Sequence, residues 1–136
     1  DFVGGEGLLM APTIAVSRML ERVNLRLQDF DFYEIHEAFA AQALATLKAW
    51  EDPDYCRARL GRSVPMGSID RAKLNVKGSS IAFGHPFAAT GARIVANLAE
   101  LLAEHGGRGL ISICTAGGMG VTAIMESAKS AGPANV

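Results

Sequence analysis

Leu110-Ile111-Ser112-Ile113-Cys114-Thr115-Ala116-Gly117-Gly118-Met119-Gly120-Val121-Thr122-Ala123-Ile124-Met125 is the stretch on which the fold turns. Leu110 to Cys114 and Val121 to Met125 are β-type runs, and Thr115 to Gly120 is too short to hold the crossover helix of a parallel connection. The two runs should pair as antiparallel neighbours. Upstream, apolar residues recur with helical spacing at Val16, Met19, Leu20 and Val23, after Pro12 and before Asn24, a suitable stop. Phe30 to Ile35 reads as a strand, followed directly from Glu37 by a helix with Phe39, Ala43, Leu47 and Trp50 on one side. A further short strand is expected within Leu74 to Phe83. Ile94, Val95, Leu98, Leu101 and Leu102 then mark a long helix ending at Gly106-Gly107. The expected order, α-β-α-β-α-β-β, is that of an α/β domain: a mixed, mostly parallel sheet covered by helices, with its last strand reversed.

The chain has 136 residues, enough for one compact domain spanning 1–136, with 51–70 read as an insert or loop because it is charged and contains Pro53, Gly61, Pro65 and Gly67. Hydrophobic residues make up 49% and charged residues 20%, a globular rather than disordered balance. Thirteen Lys and Arg nearly balance fourteen Asp and Glu, so no broad basic field exists to attract nucleic acid or an anionic membrane. Every apolar stretch is broken well before the roughly 18 residues a membrane-spanning helix needs. Cys56 and Cys114 form no Cys-x-x-Cys pair and have no His at metal-ligand spacing, so neither a disulfide nor a zinc site is expected. The opening Asp1-Phe2-Val3-Gly4-Gly5-Glu6-Gly7 reads as a Gly-rich loop that should follow something, as in a piece of a longer chain.

Three segments carry chemistry, each expected near a strand end, where open α/β sheets hold ligands. His36 and Glu37 lie where Phe30 to Ile35 gives way to a helix. A helix N-terminus disfavours imidazolium, so His36 there would be neutral, although a capping histidine beside a helix-dipole partner reads the same way. The second segment, Gly84-His85-Pro86-Phe87-Ala88-Ala89-Thr90-Gly91-Ala92-Arg93, holds His85 between a turning Gly and a stiff Pro, before small residues that let a helix start close to its neighbours. A packed turn histidine would share that sequence. The third runs from Cys114 into Thr115-Ala116-Gly117-Gly118-Met119-Gly120. A thiol there, tuned by a His or by backbone donors, could carry protons, and the glycines could expose N–H groups to an oxyanion. A buried core cysteine before a hairpin is the plainer alternative.

Together the three segments resemble the thiolase family, whose C-terminal half carries Asn-Glu-Ala-Phe-Ala, Gly-His-Pro leading to Thr-Gly-Ala-Arg, and a Cys-x-Gly-Gly-Gly-x-Gly segment. The resemblance runs from Gly7 to Ser127. It implies CoA-dependent cleavage of a 3-ketoacyl-CoA to acetyl-CoA and a shortened acyl-CoA, or the reverse condensation, with coenzyme A as co-substrate and no bound cofactor. In that family the acylated cysteine lies in the N-terminal half, so this chain alone is expected to be inactive. The resemblance makes His85 the activator of that cysteine, Cys114 the general acid and base, and His36 a hydrogen-bonding residue for a water or the thioester oxygen. Ala116 N–H, with Gly117, would serve an oxyanion site, and Ala38 and Phe39 would line the acyl and pantetheine passage. Implied partners are acyl-CoA and CoA, the N-terminal thiolase half and a second copy of the full-length protein. The implied place is the cytoplasm, or a mitochondrion or peroxisome in a eukaryote.

Where most thiolases have Asn, His36 matches the degradative branch that resembles β-subunits of fatty-acid oxidation complexes, which implies medium or longer acyl chains and a hydratase/dehydrogenase subunit as partner. Ala88 and Ala116 replace common family glycines, which keeps the backbone donors but restricts φ. Each family half has a five-stranded mixed sheet with its first strand central, and Asp1 to Met10 resembles the loop after that strand. The sheet is thus expected to lack it, and to leave a gap, borrow a strand or pair differently. Two other functions compete: a non-catalytic thiolase-like protein that binds acyl-CoA or lipid, and a Cys/His hydrolase in which Cys114 itself would be acylated.

Overall fold

The structure, a computed structural model, describes residues 7–128, so the opening Gly-rich run before Gly7 lies outside the described residues. Helix α1 spans Ala11–Val23 with Pro12 in its first turn, and Asn24 ends it in the left-handed conformation at φ 53°. Strand β1 is Phe32–Ile35, followed by α2 (Ala40–Glu51) and α3 (Pro53–Leu60). A short 3₁₀ turn at Arg71–Lys73 and a one-turn helix α4 (Ser80–Phe83) lead to the long helix α5, Thr90–His105, which ends at Gly106. Strands β2 (Arg108–Thr115) and β3 (Met119–Glu126) close the chain as an antiparallel hairpin, with Cys114 opposite Gly120.

Among the described residues the sheet has three strands in the order β1-β2-β3. β1 pairs directly and in parallel with β2, Ile35 opposite Ser112, so no strand lies between them and no gap is left. The side-chain alternation of β1 and β2 then divides the core. Tyr33, Ile35 and Leu110 join Val16, Leu20, Leu27, Phe30, Leu47 and Trp50 beneath the helices of the chain's first half. Ile111 faces the other way, with Ile94, Leu98 and Leu102 of α5. Helices therefore cover both faces of the sheet. Two glycines permit the close contacts: a Cβ on Gly109 would strike Leu98, and one on Gly120 would lie 2.7 Å from the Ala11 carbonyl carbon, where α1 starts against β3.

Three expectations are corrected. No strand forms within Leu74 to Phe83; only Leu74 bridges to Tyr33. Asn75 replaces the rest of that strand with its side chain, accepting from Ile35 N–H at 2.8 Å and donating to Ile35 C=O at 2.9 Å, and it holds φ 49° to do so. Segment 51–70 is a loop only in part: Pro53–Leu60 forms helix α3, residues 61–70 hold no helix or strand, and Cys56, Met66 and Ile69 enter the core. Side chains of the first half tie it down, through Gln28 donating to Met66 C=O and Arg62 donating to Ser17. Nor does Phe39 share the buried side of α2: it stands at the N-cap and is 65% exposed, whereas Leu47 and Trp50 are buried.

Candidate active site

The strand ends and the loop before α5 enclose a cavity of about 300 Å³ lined by His36, His85, Thr90, Cys114 and Ala116, among others. Four of the site residues read from sequence thus meet in one place, although Cys114 is 29 residues beyond His85 in the chain and His36 is 49 before it. Gly117 stands in the hairpin turn at φ 83°, outside the lining. Ala38 and Phe39 do not line the cavity either, but the Ala38 backbone acts on the Cys114 thiol, drawing its pKa down. A larger hollow of about 450 Å³ between α1 and β3 brings together Arg18 and Arg22 with apolar side chains and none of these groups.

His36 follows the last residue of β1 and is buried. It does not sit at a helix N-terminus, because α2 begins only at Ala40. Its pKa is nonetheless lowered: burial is the largest cause, His85 and Arg93 act in the same direction, and Glu37 opposes them. The expected neutral imidazole is there for a different reason from the helix dipole. The two rings lie 4.5 Å apart between centroids.

His85 is positioned by Thr90, the first residue of α5, whose Oγ1 lies 2.6 Å from His85 Nδ1. Thr90 Oγ1 also lies 3.4 Å from Pro86 C=O, which gives its hydrogen a place to go when the oxygen accepts from His85 Nδ1–H. In that arrangement the lone pair of His85 is on Nε2, as a proton acceptor requires. Next to it Ala88 adopts φ 66°, a left-handed conformation that costs a residue with a Cβ on the order of 1 kcal/mol.

Cys114 is 6% exposed. Burial pushes its thiol up, and the backbone groups of Cys114 itself and of Ala38 pull it partly back. The direction is opposite to the tuning toward neutrality expected of it: in this chain the thiol is the resting form, ready to give a proton before it takes one.

Ser80 and Glu34 were not singled out in the sequence, and Glu37 was given a different part. Ser80 Oγ lies 3.0 Å from His36 Nδ1 and accepts from Arg93 Nη2 at 3.1 Å. Glu34 is fully buried, flanked in sequence by Tyr33 and Ile35, and burial raises its carboxyl to about 7, with Arg93 pulling down, Glu37 pushing up and Lys77 pulling down. A charge between core residues of a strand is the one signal that could have found Glu34. Glu37, beside His36, accepts from Asn75 at 2.8 Å and from Ile81 N–H at 3.2 Å, which fastens α4 and its Ser80 to the end of β1.

The family model described as thiolase, C-terminal domain, matches residues 3–127. The chain belongs to the thiolase family. It is similar to the 3-ketoacyl-CoA thiolase of Aeromonas salmonicida, with 47% identity over 122 residues, 89% of this chain and 28% of that protein. The Pectobacterium carotovorum 3-ketoacyl-CoA thiolase matches at 47% over 120 residues, again 28% of its length. Among solved structures, the peroxisomal 3-ketoacyl-CoA thiolase of Saccharomyces cerevisiae, a five-layered protein of two core domains of identical topology, superposes with TM-score 0.72 at 37% identity, over 93% of this chain and 31% of that one. The Bacillus anthracis acetyl-CoA acetyltransferase gives TM-score 0.73 at 36% identity, covering 93% of this chain and 28% of its own. The thiolase domain described here thus spans under a third of the length of these relatives. Its cavity is built wholly from the matched residues.

Proposed function

We propose that this domain supplies the proton-transfer half of a thiolase site that cleaves 3-ketoacyl-CoA with coenzyme A. The observation that carries the reading is the meeting of His36, His85 and Cys114 around one cavity. Relatives named 3-ketoacyl-CoA thiolase at 47% identity support the substrate class.

In this reading the nucleophile is a cysteine of the N-terminal thiolase half. His85 Nε2 takes its proton, and the thiolate attacks the 3-keto carbon. As the bond between C2 and C3 breaks, its electron pair goes to the departing acetyl-CoA enolate, whose thioester oxygen accepts from protonated His85. Cys114 gives its proton to the enolate carbon, releasing acetyl-CoA. The Cys114 thiolate then takes the proton of the incoming CoA thiol, whose sulfur attacks the acyl-enzyme and displaces the nucleophilic cysteine. A buried thiol whose resting form is protonated suits the first of these transfers. Ala116 N–H and Gly117, at the end of β2, are placed by this reading beside the acyl oxyanion. Ala38 would act through its backbone against Cys114, and exposed Phe39 on the passage of the pantetheine arm. A second full-length copy, and a hydratase/dehydrogenase subunit that hands over the 3-ketoacyl-CoA, complete the proposed assembly; one yeast relative is a dimeric thiolase.

The test is a thiolysis assay on this domain joined to an N-terminal thiolase half. Turnover in the parent is expected, with a loss of at least about a hundredfold in Cys114→Ala and none in the isolated chain. An inactive joined protein that still binds acyl-CoA would overturn catalysis in favour of a non-catalytic acyl-CoA or lipid-binding role. Acyl transfer to Cys114 itself would point instead to the hydrolase reading.

A further inference from the structure

We propose that Ser80 and Arg93 are positioning residues that hold His36 in the tautomer with its proton on Nε2, so that it meets the substrate as a neutral hydrogen-bond donor. The proposal rests on the thiolase reading above for its catalytic meaning, and on hydrogen-bond bookkeeping for its structure.

Ser80 Oγ has two side-chain neighbours among the described residues, His36 Nδ1 at 3.0 Å and Arg93 Nη2 at 3.1 Å. A guanidinium has five donors and no acceptor, and stays charged in proteins. Arg93 must therefore donate to Ser80, which leaves the single hydroxyl hydrogen with one place to go, His36 Nδ1. A ring nitrogen that accepts carries no hydrogen, so the proton of neutral His36 is on Nε2, the nitrogen left for the cavity that His36 lines. A donation in the other sense would leave the Ser80 hydrogen without an acceptor inside the protein, as Ser80 is 6% exposed.

Arg93 is held for this task by its setting. Its Nε and Nη1 are buried without hydrogen-bond partners among the described residues, as are both oxygens of fully buried Glu34, so the hydrogen bond its guanidinium makes among those residues is the one to Ser80. Glu34 lies close enough for Arg93 to draw its carboxyl down against the larger upward push of burial, so the two attract whenever Glu34 is ionised. The guanidinium in turn polarises the Ser80 hydroxyl and strengthens its donation to the imidazole. Thr90 imposes the opposite tautomer on His85, by accepting from Nδ1. Two rings 4.5 Å apart thus present an Nε2–H and an Nε2 lone pair, a donor and an acceptor made from the same residue type by different hydroxyl partners.

Histidine tautomers are read directly from two-bond proton–nitrogen correlations in the ¹⁵N-labelled protein without substrate. The parent is expected to show a single Nε2–H pattern for His36 and a single Nδ1–H pattern for His85. Ser80→Ala should cost His36 its single pattern and leave His85 unchanged, and Ser80→Thr, which keeps the hydroxyl, should restore it. Arg93→Gln, which offers an acceptor in place of a pure donor, should also mix the two forms of His36. An Nδ1–H pattern at His36 in the parent overturns the proposal whether or not any variant folds. An unchanged His36 pattern in folded Ser80→Ala does the same. A protein with the expected patterns but no thiolysis would sink the functional reading and leave the tautomer assignment standing.

Discussion

The two faces of the sheet are built on different terms. Beneath α1, α2 and α3 the core is larger and apolar, and its aromatic polar groups have partners: Tyr33 donates to Leu27 C=O at 2.7 Å, and Trp50 Nε1 to Thr13 C=O at 3.3 Å, while Gln42 Oε1 of α2 is buried without one among the described residues. On the α5 side the apolar cluster is smaller, and both carboxyl oxygens of Glu34 and two nitrogens of Arg93 lie buried without hydrogen-bond partners among the described residues. Burying unpaired polar groups costs free energy, whereas burying apolar ones stabilises. The first face holds the domain together, and the second spends some of that stability on a charged group behind His36.

The largest effect should come from damaging the stabilising face. Trp50, fully buried and bonded to α1, is expected to cost about 3–5 kcal/mol as Trp50→Ala, measured as a lowered urea midpoint. A loss below about 1 kcal/mol would break the contrast, since that is the ordinary size of a point substitution.

Next in size is the pH dependence of the charged face, where two groups pull in opposite senses. The Glu34 carboxyl is raised from 4.5 to about 7, so the folded state holds a proton that the unfolded chain has lost; the associated stability is full below 4.5 and disappears as pH rises through about 7. For His36, lowered from 6.5, the unfolded chain binds the proton first, so stability is full above 6.5 and falls as pH drops toward the folded value. Glu34→Gln removes the first slope. Urea unfolding at several pH values should then show stability rising with pH up to about 6.5 and level above it. The parent should lose on the order of 2–3 kcal/mol relative to the variant between pH 4.5 and 8. Parallel profiles for the two proteins would mean that Glu34 titrates normally and that the α5 face carries no stored electrostatic cost.

The smallest effect tests the loop that leads into that face. Ala88→Gly relieves the left-handed strain at φ 66° and should stabilise the fold by about 0.5–1 kcal/mol, in spite of the extra freedom Gly brings to the unfolded chain. A destabilisation would show that contacts of the Ala88 methyl outweigh the strain.

Where sequence reading fell short, residues distant in the chain decided what local pattern was read to decide. Leu74 to Phe83 has the apolar content of a strand, yet Asn75 satisfies Ile35 with its amide and the chain turns away after one bridge. Segment 51–70 has the charges, prolines and glycines of a loop, yet Cys56, Met66 and Ile69 find places in a core that no local window reveals. The reactive residues were legible because chemistry needs particular side chains at turns and strand ends. Their supports were not, because Ser80, Thr90 and Arg93 are ordinary residues until the fold puts them against an imidazole.

By itself the sequence determined the helices α1 and α5, the hairpin of β2 and β3, and the presence of His36, His85 and Cys114, since periodicity, capping and short connections are local constraints on a chain. Only the tertiary structure decided that β1 meets β2 with nothing between, that burial rather than a helix dipole keeps His36 neutral, and that Ser80 and Thr90 treat two like rings differently. Those outcomes depend on which groups lie within a few ångströms and how little water reaches them, quantities that exist only once residues dozens of positions apart are packed together.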